Sequence, residues 1–380
     1  MAFRDLSDGR FQAAQVSKRP KRGVWTFFLG QVFVDSYPQG PVQCNGTLPL
    51  ETRLPSLSIG YHAAPACTHL PVSTVLVPGC SRTFQKGEEE SPTHTPPAAP
   101  APALSAMRLL GHRGASHVAP ENTLAAVRAA LDAGAGVEVD LQLLRDGTLI
   151  VLHDETLERT ARPDAASTYR ALIRTPITTL RWNEVSDIDV GSWMGNEWSE
   201  ERTPLFRDVL RELQLAAARP GNVSAHCFAE LKGDRPHDPK LPGTAAAVVA
   251  EMRVPPHALT WISFSLPLLI EMKAICPQFK VLYIADARTP EAAWRAARAS
   301  VGARLDGVDL RAHPDVVTAE LCEWMHARGK EVAVWVSRAP AKEDTPEMWN
   351  AMEQNGVDDF TSNLPHSCLS WRDETQRAAE

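Results

Sequence analysis

Residues 111–154 read GHRGASHVAPENTLAAVRAALDAGAGVEVDLQLLRDGTLIVLHD, and the changes of period within that stretch decide the fold. Just before it, Arg108–Leu110 is a short apolar run closed by Gly111, which suits a buried strand. Asn122 or Thr123 can cap a helix, in which Leu124, Val127 and Leu131 recur at spacings of three and four. Gly134 and Gly136 stop it. From Val137 to Leu143 the period falls to two, so Glu138, Asp140 and Gln142 share one face of a strand. Asp146-Gly147 then signals a hairpin whose return through Thr148–Leu152 brings His153 level with Asp140.

This geometry collects His112, Arg113, Glu138, Asp140 and His153 in one place. Adjacent carboxylates repel and are costly to bury bare. One divalent cation, Mg2+ or Ca2+, relieves that cost through oxygen ligands. The plain alternative is a solvated pair on a wet strand face.

Outward from the stretch, strand and helix alternate. Strands are expected at 225–231, 258–264, 280–285, 306–310, 331–336 and 358–361. Helices are expected at 205–215, 243–252, 267–275, 290–300, 316–328 and 346–354. With 108–112 and 136–142 this makes eight parallel units, hence an α/β fold of the TIM (β/α)8 barrel type. A doubly wound open sheet is the alternative. Polar groups at strand ends fit the barrel, whose sites lie at the C-terminal face. His112, Asp140, Glu230, Lys232, Trp335 and Asn363 occupy such positions. Residues 155–204 form a long connection, either over the site mouth or packed on the barrel's outside.

Several motifs carry a family resemblance. They are HRG at 112–114, PENT at 120–123, Glu138-x-Asp140, His153-Asp154, Glu230-Leu231-Lys232 and Ile262-Ser263-Phe264. VAVWV at 332–336 and the segment from Gly356 to Pro365 complete the series. In order, over about 260 residues, they resemble the glycerophosphodiester phosphodiesterases. The resemblance implies a metal-dependent hydrolase that yields glycerol 3-phosphate and an alcohol. Glu138, Asp140 and Glu230 are the expected metal ligands, and His112 and His153 the catalytic pair. Arg113, Lys232 and Trp335 are the expected substrate contacts. His112 is read as acid and His153 as base, an order that sequence leaves open. Lysophospholipase D-like or sphingomyelinase D-like hydrolysis is the second reading, and a phosphate-binding protein without turnover the third.

The chain departs from the family pattern twice. Val336-Ser337-Arg338 follows Trp335 where Thr-Val-Asn is usual after that Trp, and Ser362-Asn363-Leu364-Pro365 replaces Thr-Asp-x-Pro. Both departures are expected to line the alcohol side and to touch neither the metal nor the histidines. Among single residues, His226 reads as a packed, hydrogen-bonded side chain. Glu121 reads as a brace for Arg113 or as an acid that favours the helix N-terminus, and Asp154 as an orienter of the His153 loop or the cap of a turn.

A formal charge of −7 gives no reason to expect a nucleic-acid partner, and the partner read here is a small phosphodiester or lysophospholipid. Seven cysteines lack metal-site spacing. Residues 1–106 are expected to be a largely unstructured extension. It holds a basic run at 18–22, an apolar run at 24–34 too short for a bilayer, and five prolines between Ser91 and Leu104. The barrel domain is expected at 107–370, beginning at or near Met107, with a tail at 371–380. Cytoplasmic residence is the default expectation.

Overall fold

A computed structural model describes residues 3–5, 11–13, 107–162, 168–219, 225–233, 239–337 and 343–379. The chain divides into two units, Met1–Thr93 and His94–Glu380. In the first, Phe3–Asp5 pairs antiparallel with Phe11–Ala13. The expectations made for the rest of 1–106 lie outside the described residues.

The second unit is a closed barrel. Its strands are β1 (Arg108–Gly111), β2 (Gly136–Leu143), β4 (Cys227–Leu231), β5 (Leu259–Ser263), β6 (Lys280–Ala285), β7 (Gly307–Arg311), β8 (Glu331–Trp335) and β9 (Asp359–Ser362). β3 (Leu149–Val151) is the hairpin return, antiparallel to β2. Each barrel strand pairs in parallel with the next, and β1 pairs with both β2 and β9, which closes the ring. The eight parallel units read from sequence are therefore those that form.

Helices α1 (Leu124–Ala133), α3 (Phe206–Ala217), α4 (Leu241–Glu251), α5 (Leu266–Ile275), α6 (Pro290–Gly302), α7 (Ala319–His326), α8 (Pro346–Gln354) and α9 (Pro365–Ala379) follow the strands, and a one-turn α2 (Trp182–Val185) sits in the 155–204 connection. Thr123, not Asn122, caps α1, its hydroxyl accepting from the Ala126 amide at 3.2 Å. Gly134 ends α1 in the left-handed conformation, φ 88°.

Two apolar layers hold the barrel. Between strands and helices lie residues such as Val137, Leu231, Phe206 and Trp261, all fully buried. Inside the ring, Leu110, Phe228, Ile262, Leu282, Ile284 and Ala333 form a second cluster. Each large side chain so buried is worth about 1.5–3 kcal/mol relative to exposure. Below this plug the bottom is polar: Arg108 grips Asp359 at 2.7 and 2.9 Å, and Lys280 pairs with Glu331. His226 bonds the His257 carbonyl at 2.8 Å and Thr260 Oγ1 at 3.0 Å, the packed histidine expected. Cys227, Cys276, Cys322 and Cys368 are buried free thiols.

The 155–204 connection builds a small core of its own, in which Leu157, Ile177, Leu180, Val185 and Ile188 pack on Leu144 and Ile150. The expected boundary at 370 falls inside α9. That helix stays docked because Cys368 and Leu369 are buried and Trp371 packs on Trp349 at 5.7 Å. Among the described residues, no helix is long and apolar enough to cross a membrane.

Candidate active site

Glu138 and Asp140 point into the barrel because they alternate with Val137, Val139 and Leu141, which are fully buried in the outer layer. Glu230 stands beside Asp140 in the β2–β4 register. One oxygen from each of the three carboxylates lies within 4.8 Å of the others. The hairpin register places the Leu152 amide on the Asp140 carbonyl, 2.9 Å away, so His153 follows one step beyond.

The loop after β1 is held under strain. Arg113 and Asn122 both have positive φ, 58° and 56°, a conformation costly for residues with a Cβ. Gly114, at φ 80°, approaches α1 so closely that a Cβ there would lie 2.5 Å from the Ala126 carbonyl carbon. The strained residues both serve the acidic cluster. The Arg113 amide donates to Glu138 Oε2 at 2.9 Å, and Asn122 Nδ2 donates to Asp140 Oδ2 at 2.6 Å.

Two cations enter the cluster. Lys232 Nζ lies 2.7 Å from Asp140 Oδ1 and 2.8 Å from Glu230 Oε2, at 4 % exposure. Arg113 donates through Nη1 to Glu121 at 2.7 Å, and its Nε lies 3.5 Å from Asp140. Glu121 is the brace expected, and it is gripped in turn by Arg159 at 2.7 Å. Burial, then Asp140 and Glu230, push the Glu138 carboxyl well above the usual range. Burial opposes ionisation of Asp140 as well, but Lys232, His153 and Arg113 together hold it well below.

The buried Glu230 Oε1 has no hydrogen-bond partner among the described residues. With three acids, an all-oxygen donor set and one orphaned oxygen, these residues fit a hard divalent cation.

Each histidine is anchored through Nδ1. His153 Nδ1 meets Asp154 Oδ1 at 2.7 Å, and Arg159 Nε holds the other Asp154 oxygen at 2.6 Å. His112 Nδ1 meets Asn363 Oδ1 at 2.8 Å, while its Nε2 faces Glu138 Oε2 at 4.0 Å. Burial, then the Arg113 guanidinium, push the His112 imidazole down to about 3. Burial also lowers His153, against Asp140 and Asp154. Asp154, despite its burial, is held below the usual range by His153 and Arg159.

Asn363 overturns one expectation. The departure from Thr-Asp-x-Pro was placed away from the histidines, yet it bonds His112 directly, because β9 is the barrel neighbour of β1. Asn363 is itself fixed: its Nδ2 donates to the Ser337 carbonyl at 3.0 Å, and its amide to Asp344 Oδ2 at 2.6 Å. Asp344 also accepts from Ser362 Oγ, the Leu364 amide and Trp349 Nε1. Sequence reasoning missed Asp344, Asn122 and Arg159 as supports of the site. The odd Asn363 was the one signal that could have led to Asp344.

A cavity of about 230 Å3 opens between these groups. His112, Arg113, Glu138, His153 and Glu230 line one part, and Ile262, Phe264, Ile284, Asp309, Trp335, Ser337 and Thr361 the other. Asp140 and Lys232 stand behind this surface. Lys232 reaches the carboxylates and does not line the cavity, contrary to its expected contact with phosphate; its two ion pairs occupy it.

The chain's similarities agree with this geometry. It is 35 % identical over 102 residues to a glycerophosphodiester phosphodiesterase of Caldanaerobacter subterraneus subsp. tengcongensis, covering 27 % of this chain and 38 % of that protein. It is 48 % identical over 125 residues to glycerophosphodiester phosphodiesterase 1 of Bos taurus, covering 30 % of this chain and 35 % of that one. The chain thus spans under half the length of these curated relatives. The fold is similar to a glycerophosphodiester phosphodiesterase of Agrobacterium tumefaciens, with TM-score 0.53, 24 % identity, and 68 % and 97 % of the two chains covered. It is also similar to an Oleispira antarctica phosphodiesterase in complex with its product sn-glycerol-3-phosphate, with TM-score 0.55, 23 % identity, and 70 % and 97 % covered. A family model for glycerophosphoryl diester phosphodiesterases matches residues 112–366, a span that includes every cavity residue named above, and the chain belongs to that family.

Proposed function

We propose that this protein hydrolyses glycerophosphodiesters to glycerol 3-phosphate and an alcohol. The observation that carries the reading is the shared cavity, in which two Nδ1-anchored imidazoles face the same space as Arg113, Glu138 and Glu230. Binding alone requires no such pair, whereas cleavage of a phosphodiester needs a proton acceptor on one side and a donor on the other.

His153 is the base. Asp154 behind it stabilises the imidazolium that forms when the attacking hydroxyl, from water or from the neighbouring glycerol carbon, gives up its proton. His112 is the acid that protonates the leaving alcohol; burial disfavours its imidazolium, so its proton has to be held by the bound phosphate and by Glu138, which faces its Nε2 and would be ionised on binding a cation. Arg113 offers its guanidinium to the phosphate oxygens. Lys232 acts one step back, holding Asp140 and Glu230 together. Glu138, Asp140 and Glu230 would hold Mg2+ or Ca2+, which when bound supplies neutralisation of phosphate charge. Trp335 lines the alcohol side.

One assay tests the reading: glycerophosphocholine, glycerophosphoethanolamine and lysophosphatidylcholine, each with Mg2+, Ca2+ or EDTA. Cation-dependent release of glycerol 3-phosphate is expected from the first two. Turnover indifferent to EDTA removes the carboxylates as ligands, and turnover of lysophosphatidylcholine alone replaces the substrate class.

A further inference from the structure

The same cavity holds polar atoms that the proposed chemistry does not use. Asp309 Oδ1, Trp335 Nε1 and Thr361 Oγ1 are buried and have no hydrogen-bond partner among the described residues. Asp309 is 2 % exposed and Thr361 1 %, yet all three residues line the cavity. They come from three consecutive strands, β7, β8 and β9. Trp335 is level with Thr361, and Asp309 stands two residues below Arg311, the partner of Trp335 in the register. The rest of this wall is Ile262, Phe264, Ile284 and Ser337; Ser337 alone of these is polar, and it bonds none of the three. One orphaned buried group is unremarkable; three in one hollow call for an occupant.

The donor set narrows the occupant's chemistry. An indole N–H only donates, a hydroxyl does both, and a carboxyl accepts or, when protonated, also donates. The other inward acids have partners: Asp140 and Glu230 share Lys232, Asp359 has Arg108, and Glu138 accepts from the Arg113 amide. Burial, then Asp359 and Glu230, hold Asp309 well above the usual carboxylate range, which favours its neutral form. A neutral mixed set suits hydroxyls, which give and take hydrogen bonds at one atom. A trimethylammonium group offers none of these bonds, and an acyl chain would leave all three atoms unpaired.

We propose that Asp309, with Trp335 Nε1 and Thr361 Oγ1, forms a hydroxyl-reading subsite that selects phosphodiesters with a free polyol portion over those with an apolar one. This rests on the phosphodiesterase reading above. The hydroxyls are either the terminal one of the glycerol half or those of a polyol alcohol such as inositol.

The test compares kcat and KM of the full chain with Mg2+ on three substrates. They are glycerophosphocholine, its analogue built on propane-1,2-diol (which keeps the hydroxyl next to the phosphate and lacks the terminal one), and glycerophosphoinositol. Wild type is expected to favour glycerophosphocholine over the deoxy analogue, or glycerophosphoinositol over glycerophosphocholine, by about 10- to 100-fold in kcat/KM. Asp309→Leu should erase that preference through KM, and Asp309→Asn should retain most of it. The first preference assigns the subsite to the glycerol, the second to the alcohol, and either supports it. Absence of both in wild type, or an equal loss on all three substrates in Asp309→Leu, overturns the proposal and leaves the hollow to water. Should no diester be turned over, the phosphodiesterase reading fails by itself. Calorimetric binding of glycerol 3-phosphate against propane-1,2-diol 1-phosphate, and of inositol against buffer, then decides the subsite by the same criteria, any inositol binding having to be lost in Asp309→Leu.

Discussion

His112 and Asn363, 251 residues apart in the chain, meet through a 2.8 Å contact between Nδ1 and Oδ1. The amide orientation follows from the Ser337 carbonyl, which takes the Nδ2 hydrogen. Nδ1 of His112 therefore carries a proton, and Nε2 is the nitrogen directed at Glu138. An amide fixes the ring as a carboxylate would, but it gives an imidazolium no compensating charge.

Removing that amide should misalign the ring. In Asn363→Ala, kcat is expected to fall about 10- to 100-fold with KM little changed, since losing a buried partner costs about 1–3 kcal/mol. Asn363→Asp adds an anion beside Nδ1 and so raises the His112 pKa. If His112 donates the proton, the alkaline limb of kcat/KM moves to higher pH in this variant. A pH–rate profile superimposable on that of wild type would deny His112 the role of acid.

Why sequence brought the three carboxylates together but not this contact is a matter of period and reach. Glu138 and Asp140 announce themselves by alternating within one strand, and Glu230 by doing so with Lys232 in another. His153 follows from a two-residue turn signal. Those are short-range regularities. The Asn363–His112 bond depends on barrel closure, which brings the last strand against the first, and no local pattern encodes it. Arg159 and Asp344 were invisible for the same reason: each lies in irregular chain and finds its partners only through tertiary folding. Lys232 was legible as a cation near the site, but not its engagement by two carboxylates.

The two imidazoles should be separately indispensable. His112→Ala and His153→Ala are each expected to lower kcat by at least about 100-fold, the lower end of what a positioned acid or base contributes. Their far-ultraviolet circular dichroism should match that of wild type, because both side chains border a cavity and neither belongs to the apolar core. Asp154→Asn should lower kcat less than His153→Ala does. Near-normal turnover in either histidine variant would end the two-histidine scheme.

Lys232 is where stability and cation binding meet. In Lys232→Met, Asp140 and Glu230 lose their shared buried cation, and breaking such a group costs about 3–5 kcal/mol. Urea unfolding in EDTA should show that loss. Added Mg2+ should stabilise the variant by more than it stabilises wild type, since the uncompensated charge it meets is larger. Equal Mg2+ stabilisation of both proteins would argue that these carboxylates do not bind the cation.

Asp309 offers a pH test that does not depend on catalysis. An aspartate in the unfolded chain titrates near about 3.9. In the fold, burial together with Asp359 and Glu230 raises Asp309 well above that. The folded state therefore holds the proton more tightly. The stability that this group contributes is fully present below about pH 4 and declines as pH rises towards the folded value, by about 1.4 kcal/mol for each pH unit crossed. Asp309→Asn keeps the shape and removes the titration. Urea unfolding in EDTA should find the two proteins closest in stability at pH 4, with the asparagine variant increasingly the more stable at pH 5.5 and pH 7. A difference that stays constant across that range would mean that Asp309 is ionised in the fold with its charge compensated, and the neutral acid facing the cavity would have to be abandoned.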